Sequence, residues 1–359
     1  GTIKASVIQD GASSTANLTL DANGNTVGGG TVAMASSYLR NRIINGAMVI
    51  DQRNAGASVS NPAATATYTL DRWWIYGTSA SKFSCQQNAG SVTPPAGFSN
   101  YLGITSSAAT TPAATDIYAF SQKIEGFNTA DFAWGTASAK TVTLSFWVYS
   151  SLTGTFGGGL GNNAANRNYV FSYTVNSANT WEQKTITITG DTTGTWVTNN
   201  GAGIQFYWDL GSGASQKGTA GSWGSTFYYG PTGGVNVVGT NGATFYITGV
   251  QLEVGTVATP FERRLYGHEL MLCQRYYQQS RACAADNGAA AATKFYNVPV
   301  NFNVAMRTAP TVSYVAITST NVTSRTALNI FEYGFNHQVV ASGGPSMQEV
   351  STAQSTAEL

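Results

Sequence analysis

Two histidines and 17 acidic residues are the side chains with which this chain of 359 residues could perform metal or acid–base chemistry. Neither His268 nor His337 has a Cys or carboxylate partner at a metal-ligand spacing such as H-x-x-H or H-E-x-x-H. The chain contains no G-x-S-x-G nucleophile motif, and its glycine-rich runs at 28–31 and 157–161 lack the Gly-Lys-Ser/Thr of a phosphate-binding loop. We therefore predict no metal site and no cofactor, and we interpret both runs as turns.

A pair of carboxylates is the catalytic arrangement that the residue types leave open, because glycoside hydrolysis needs only two acids. The 17 acidic residues face 18 basic ones, so we expect most acids to be solvated or paired in salt bridges. The sequence therefore favours a protein that is not an enzyme, with a hidden glycosidase pair as the alternative. The candidate acids are Asp116, Glu125, Asp131, Glu182 and Asp209.

Aromatic residues make up 12% of the chain and are more informative than the acids. Some of them lie in or beside Gly/Ser/Thr-rich segments, where flat rings surrounded by hydroxyls and amides suit the C–H faces and hydroxyl groups of sugars. We predict the following ligand-binding residues: Trp134, Trp223, Tyr228 and Tyr229. Packing, either in the core or between subunits, is the competing interpretation for each ring.

Strands must position these rings. The clearest strand is 141–149, in which every second residue from Val142 to Val148 is apolar, a period of two. Gly- and Asn-rich clusters separate further predicted strands at 43–50, 69–76, 82–86, 117–124, 169–175, 185–189, 204–210 and 244–254. Many short strands with regular turn signals are typical of an all-β protein with a jelly-roll-like β-sandwich.

The pattern changes after Arg263, where Leu265, His268, Leu272 and Tyr276 share one face at helical spacing. Strands return at 294–304, 311–317, 327–333 and 337–340, followed by a loose polar tail after Gly343. We therefore predict four parts: an N-terminal attachment segment at 1–40, a carbohydrate-binding-like β-sandwich at 41–263, one linking helix at 264–280, and a small C-terminal β domain with a polar tail at 281–359.

Charge and hydropathy exclude several classes of partner. Charged residues make up 10% of the chain, against about 25% in ordinary domains. A net charge of +1 gives no basic surplus for nucleic acid. No apolar run approaches the roughly 20 residues that a membrane helix needs, so we predict no membrane insertion. We expect the three cysteines, Cys85, Cys273 and Cys283, to be free buried thiols of a chain made in a reducing cytosol, with a disulfide or a metal role as the alternative.

Several segments resemble bacteriophage tail-fibre and minor tail receptor-binding proteins, in which a carbohydrate-binding-module-like sandwich ends in a Gln-Leu-Glu strand followed by Pro-Phe-Glu. The segments that carry the resemblance are 41–48, 70–73, 180–188, 191–196, 249–255, 258–262, 269–277 and 306–312. Gln-Leu-Glu at 251–253 and Cys-Gln-Arg-Tyr-Tyr at 273–277 are together the most specific. The resemblance covers roughly residues 41–315 and supplies no fixed set of ligand residues.

The resemblance implies a virion structural protein, usually a homotrimer, that contacts the host surface. We therefore expect a fibre that joins other virion proteins through 1–40 and binds a host-surface polysaccharide. Leu272, Tyr276 and Tyr277 of the predicted helix are candidates for a three-fold seam. If Gly1 is the native start, the chain has no export signal, and release by host lysis would place it in the virion.

Two alternatives to a receptor-binding fibre stay open. One is a purely structural head or collar component without a ligand. The other is a glycan-depolymerising tailspike, which is less favoured because the sequence shows no fixed-period repeat of the kind that a β-helix requires.

Overall fold

The computed structural model describes residues 40–288 and 290–359, together with three short strands near the N-terminus. The chain divides into two compact units, Gly1–Arg40 and Asn41–Leu359. In the first unit, β1 (Val7–Ile8), β2 (Leu18–Leu20) and β3 (Thr26–Val27) form an antiparallel sheet. The glycine run at 28–31 lies outside the described residues, and the attachment role of 1–40 stays a prediction.

The second unit begins with a two-sheet β-sandwich, which confirms the predicted fold class. Its strands are β4 (Val59–Ser60), β5 (Thr67–Tyr68), β6 (Trp74–Gly77), β7 (Phe83–Gln87), β8 (Leu102–Ser106), β9 (Tyr118–Glu125), β10 (Val142–Ser150), β11 (Gly154–Gly161), β12 (Asn168–Val175), β13 (Glu182–Ile188), β14 (Ala202–Asp209), β15 (Lys217–Gly218), β16 (Trp223–Gly224), β17 (Gly230–Pro231) and β18 (Thr244–Val254). The six-stranded sheet has the order β13-β10-β18-β8-β7-β4, and the seven-stranded sheet has the order β16-β12-β11-β14-β9-β6-β5. Strands β15 and β17 form a separate parallel pair.

The core lies between the two sheets, and period-two alternation fills it from both sides. Leu144 and Phe146 of β10 point inward and are fully buried. Trp208 of β14 lies opposite them at the centre, stacked on Phe120 with ring centroids 5.2 Å apart and planes at 7°. Such stacking stabilises the core in addition to the burial of the large apolar area of each ring.

Two segments differ from the expected pattern. The glycine-rich run at 157–161 was predicted to form a turn, but it lies in strand β11. Glycine is needed there because the neighbouring backbone leaves no room for side chains: a Cβ on Gly158 would lie 1.9 Å from the Tyr207 carbonyl oxygen. Residues 43–50 were predicted as a strand but form turns. Asn45 and Met48 adopt left-handed backbone conformations there, and the Asn45 side chain bonds the backbone of Ile50.

The single α-helix in the described residues, α1 (Tyr266–Gln274), is shorter than the predicted 264–280. It ends early because Tyr277 begins a strand. Tyr276 is fully buried, and its hydroxyl donates a hydrogen bond to Glu125 at 2.6 Å. Tyr277 is 2% exposed and packs its ring under the Arg53 guanidinium at 3.7 Å. Both rings are therefore enclosed by their own chain, which leaves the proposed seam without an exposed ring at these two positions. Leu272 is half-buried and packs against the hydrophobic cluster that contains Tyr276.

The C-terminal part forms a second, smaller pair of sheets. Its strands are β19 (Tyr277–Asp286), β20 (Phe295–Asn301), β21 (Thr311–Thr320), β22 (Val322–Phe331), β23 (Gly334–Ala341) and β24 (Met347–Thr356), arranged in the three-stranded sheets β19-β24-β21 and β20-β23-β22. The predicted loose tail after Gly343 is wrong, because β24 is a central strand. Its small polar residues alternate, and Ser351 and Ser355 are buried.

The described part of the chain contains no helix long and apolar enough to cross a membrane. The three cysteines are free, with Cys85 and Cys273 buried and Cys283 half-buried.

A buried histidine in this smaller sandwich predicts a pH dependence of stability. His337 is fully buried; its Nδ1 lies 3.0 Å from the Tyr314 hydroxyl, and its Nε2 has no hydrogen-bond partner in the described structure. Burial lowers the pKa of His337, an effect that nearby Glu349 opposes and Arg325 reinforces. Because His337 takes up a proton near pH 6.5 in the unfolded chain and only at lower pH in the folded chain, its contribution to stability falls as the pH drops below about 6.5.

We expect His337→Gln to change the slope of the urea midpoint against pH: relative to the unmodified chain, its midpoint should be higher at about pH 5 than at about pH 7. His268→Gln is the matched control and should leave the slope unchanged. An equal slope in the His337 variant would contradict this assignment.

Candidate functional site

The long connection between β14 and β18 folds back over the outer face of the seven-stranded sheet. Strand β16 extends the sheet beside β12, and β15 pairs with β17 within the connection. The Asn168 side chain fastens the connection to the sheet: its amide nitrogen donates to the carbonyl oxygen of Tyr228 at 3.3 Å, and its carbonyl oxygen accepts from the Tyr228 N–H at 3.1 Å. A Cβ on Gly159 would lie 2.2 Å from the same Tyr228 carbonyl oxygen, so the bare glycine strand allows this close approach.

Between β12 and this connection lies a cleft of about 370 Å³, hereafter the β12 cleft. Apolar surface comes from Val170 and the Tyr228 ring, and the Asn168 amide and the Lys217 ammonium add polar groups. The hydroxyl groups that line it belong to Thr219, Ser222, Ser225, Thr226 and Thr232. The β12 cleft is thus a mainly hydroxyl-lined surface around one aromatic ring.

The Tyr228 ring is held from below as well as through its backbone. A Cβ on Gly218 would lie 2.3 Å from the Tyr228 Cδ2 atom, so the ring rests directly on the glycine backbone of β15. Since the protein already holds both the backbone and the ring of Tyr228 in place, the Tyr228 side chain loses little conformational entropy when a ligand stacks on it.

Lys217 supplies the only charged group among the residues that line the β12 cleft in the described structure. Its ammonium lies 3.4 Å from a carboxylate oxygen of Asp209 and donates to the Gly234 carbonyl oxygen at 3.2 Å. Asp209 is itself fixed, because its other oxygen accepts the backbone N–H of Ser212 at 2.7 Å. The ion pair compensates the positive charge of Lys217.

Two of the predicted ligand residues, Trp134 and Trp223, belong to a tryptophan cluster at the end of β12. Their ring centroids lie 5.3 Å apart, and Trp196 completes the cluster 4.7 Å from Trp134. The indole N–H of Trp134 donates to the Lys140 carbonyl oxygen, and that of Trp223 to the Thr189 carbonyl oxygen. These two indoles thus have internal polar partners, although the neighbours of Trp223 in sequence line the cleft.

Tyr229 lies in a different place from Tyr228, because adjacent residues project in opposite directions. It packs edge-on against Tyr207 at 4.9 Å, and Trp74 contacts Tyr207 at 5.5 Å. The structure therefore brings only Tyr228 of the predicted rings into the β12 cleft. The sequence analysis did not predict Asn168 or Lys217 as site residues. The only sequence signal of Asn168 is its position at the start of a strand with alternating apolar residues.

The candidate catalytic acids have structural partners. The Glu125 carboxylate forms a salt bridge with Arg275 at 2.6 Å, and the Asp131 carboxylate forms one with Arg42 at 2.8 Å. The other pairings are Glu182 with Lys184, Asp209 with Lys217, and Asp116 with the Ala113 backbone N–H. The expectation that most acids are solvated or paired in salt bridges is therefore confirmed for four of these five acids, all except Asp116. Within residues 40–288 and 290–359, no group of three or more His, Cys, Asp or Glu side chains converges to hold a metal ion.

No protein-family model matches the chain, and no curated protein matches its sequence. Among solved structures, it is similar to the enzymatically active domain of tailspike protein 4 from bacteriophage CBA120, with 12% identity, a TM-score of 0.31, and coverage of 60% of this chain and 22% of that chain. A putative sugar-binding protein from Bacteroides thetaiotaomicron has 12% identity and a TM-score of 0.34 over 60% of this chain and 100% of its own.

A family 11 carbohydrate-binding module from Clostridium thermocellum, solved with a β-1,3-1,4-mixed-linked tetrasaccharide, has 12% identity and a TM-score of 0.28, covering 56% of this chain and 98% of its own. With TM-scores below 0.5, these likenesses do not identify a family for the chain.

Proposed function

We propose that this chain binds a neutral polysaccharide in the β12 cleft and does not cleave it. The observation that carries the proposal is the fixed Tyr228 ring, surrounded by hydroxyl groups. A ring face packs on the C–H groups of a sugar, while hydroxyls and amides exchange hydrogen bonds with its hydroxyl groups. Absence of catalysis is supported by the lining of the described cleft, which includes no carboxylate, whereas a glycosidase needs two across the scissile bond.

The charge of the cleft favours a neutral sugar over an acidic one. Lys217 is the one cation in the lining, and Asp209 already compensates its charge. An acidic polysaccharide would also have to approach the buried Asp209 carboxylate, which opposes binding. Discrimination should therefore rest on hydroxyl stereochemistry, read by the Ser and Thr side chains.

We further propose that the protein is a phage fibre that uses this cleft to recognise a host-surface glycan, assembled as a homotrimer within a virion. Support comes from three of the segments that resemble tail-fibre proteins, 41–48, 249–255 and 258–262, because hydrogen bonds join them to one another. Gln251 donates to Glu253 at 2.8 Å, and Glu253 accepts from the Thr259 hydroxyl at 2.6 Å. Asn41 accepts the Leu252 N–H at 3.1 Å, which joins the opening segment to the final strand.

A glycan array followed by calorimetric titration tests the proposed cleft. We expect Tyr228→Ala to weaken binding of neutral oligosaccharides at least tenfold, whereas Tyr228→Phe, which keeps the ring, should bind within a few-fold of the unmodified chain. Tyr266→Ala removes a ring that is 64% exposed on α1 and should change nothing. Equal binding by Tyr228→Ala and Tyr266→Ala would refute the site. Release of reducing sugar during incubation would refute the absence of catalysis.

A further inference from the structure

The turn between β22 and β23 exposes two aromatic rings that the interior does not use. Phe331 is 61% exposed and Tyr333 is 72% exposed. Their backbone is nevertheless held: the Tyr333 carbonyl oxygen accepts the Phe302 N–H at 2.9 Å, and a Cβ on Gly334 would lie 2.4 Å from the Val300 carbonyl oxygen. The turn therefore presents the rings from a fixed support beside β20.

A hollow of about 420 Å³ opens between this turn and the outer face of the sheet β20-β23-β22, hereafter the turn hollow. Phe331, Tyr333 and Pro299 supply its apolar surface. A register shift in β22 between Leu328 and Phe331 turns Asn329 outward with the ring of Phe331, and Asn329 adopts a left-handed conformation at φ 49°. The bulge thus places an amide beside an aromatic face.

Three side-chain amides line the turn hollow, from Asn301, Asn329 and Asn336. None of them has a hydrogen-bond partner within the part of the chain that the structure describes. Each amide offers two N–H donors and one carbonyl acceptor. No charged side chain is among the lining residues of this described hollow.

These features define the chemistry of the occupant. A ligand must present an apolar face to the rings and several uncharged donors and acceptors to the amides, which is the surface of a neutral sugar.

We infer that the turn hollow is a second carbohydrate-binding site, for a neutral sugar, independent of the β12 cleft. This inference adds a second site to the single cleft proposed above. Two sites on one chain can bind one polysaccharide at two points, which raises the avidity.

Its test uses the full chain on an array of neutral hexose and N-acetylhexosamine oligosaccharides. Phe331→Ser combined with Tyr333→Ser removes both rings from the surface without opening a cavity, so the variant should fold. We expect the signal of at least one class of oligosaccharide to fall tenfold or more. Asn336→Ala should weaken the same class, and Tyr266→Ser, which removes a comparably exposed ring, should have no effect.

The outcomes separate this site from the β12 cleft. Signals that Phe331→Ser/Tyr333→Ser lowers and Tyr228→Ala spares support the turn hollow even if the cleft binds nothing. Signals that the double variant leaves unchanged overturn the hollow, whatever Tyr228→Ala does. A loss of self-association in light scattering without any change in glycan signal would show that the rings pair copies of the chain, and it would also overturn the inference.

Discussion

Replacement of Arg72 by Met is expected to lower the free energy of unfolding by about 3 kcal/mol, near the low end of the range of ~3–5 kcal/mol for breaking a buried ion pair. The Arg72 side chain is 2% exposed and pairs with Glu358, which is 6% exposed. Its guanidinium also lies 3.6 Å from the Tyr276 ring centroid and donates to the Lys123 carbonyl oxygen at 2.7 Å. Arg53 still contacts the second oxygen of Glu358 at 2.7 Å, which limits the loss.

The decisive comparison for Arg72 is a double-mutant cycle measured by urea unfolding. We expect the losses of Arg72→Met and Glu358→Gln to add up to more than the loss of the double variant, because each single change already removes the ion pair that the two residues share. Lys294→Met breaks the exposed pair with Asp286, where the Lys294 side chain is 50% exposed, and should matter much less. If Arg72→Met and Lys294→Met have equal effects, the buried pair does not join the sandwich to the C-terminal segment.

The strands that the sequence predicted well carry apolar side chains at alternate positions that face the core, even where the opposite face is buried too, as in β18. Strands β10 and β18 follow this rule, and their bounds agree with the predicted 141–149 and 244–254 within a residue or two. Strands β11 and β24 were missed because their composition hides the alternation. In β11 the glycines make room for neighbouring backbone, and in β24 small polar residues occupy buried positions. Both strands depend on the residues that pack against them, and these residues are distant in the sequence.

The candidate site was less predictable than the fold. The position of a tyrosine in a Gly/Ser/Thr-rich segment predicted Tyr228 as a ligand residue, and the structure places Tyr228 in the lining of the β12 cleft. Its neighbour Tyr229 and the loop tryptophans Trp134 and Trp223 have the same sequence signal, yet they contact other rings. What separates them is the path of the connection over β12, which Asn168 fixes across 60 residues. A contact of that range leaves no periodic trace in a single sequence.

Replacement of Trp208 by Ala is expected to lower the free energy of unfolding by about 3–5 kcal/mol, because it removes one of the two fully buried tryptophan rings of the sandwich core. Trp208 is fully buried, and its ring centroid lies within 6.1 Å of five other rings. The corresponding change in the smaller sandwich is Met347→Ala, at a buried position of the cluster around Val339. For that variant we expect a loss of about 2–5 kcal/mol.

The pair of variants also tests whether residues 41–359 unfold as one unit. All eight tryptophans lie at or before Trp223, so tryptophan fluorescence reports on the large sandwich alone. The ion pairs of Glu125 and Glu358 couple that sandwich to the C-terminal part. If they transmit stability, Met347→Ala shifts the fluorescence midpoint in urea together with the circular dichroism midpoint. A fluorescence midpoint that Met347→Ala leaves unchanged, while Trp208→Ala lowers it, would mean that the small sandwich unfolds separately and that the buried charges join two independent folding units.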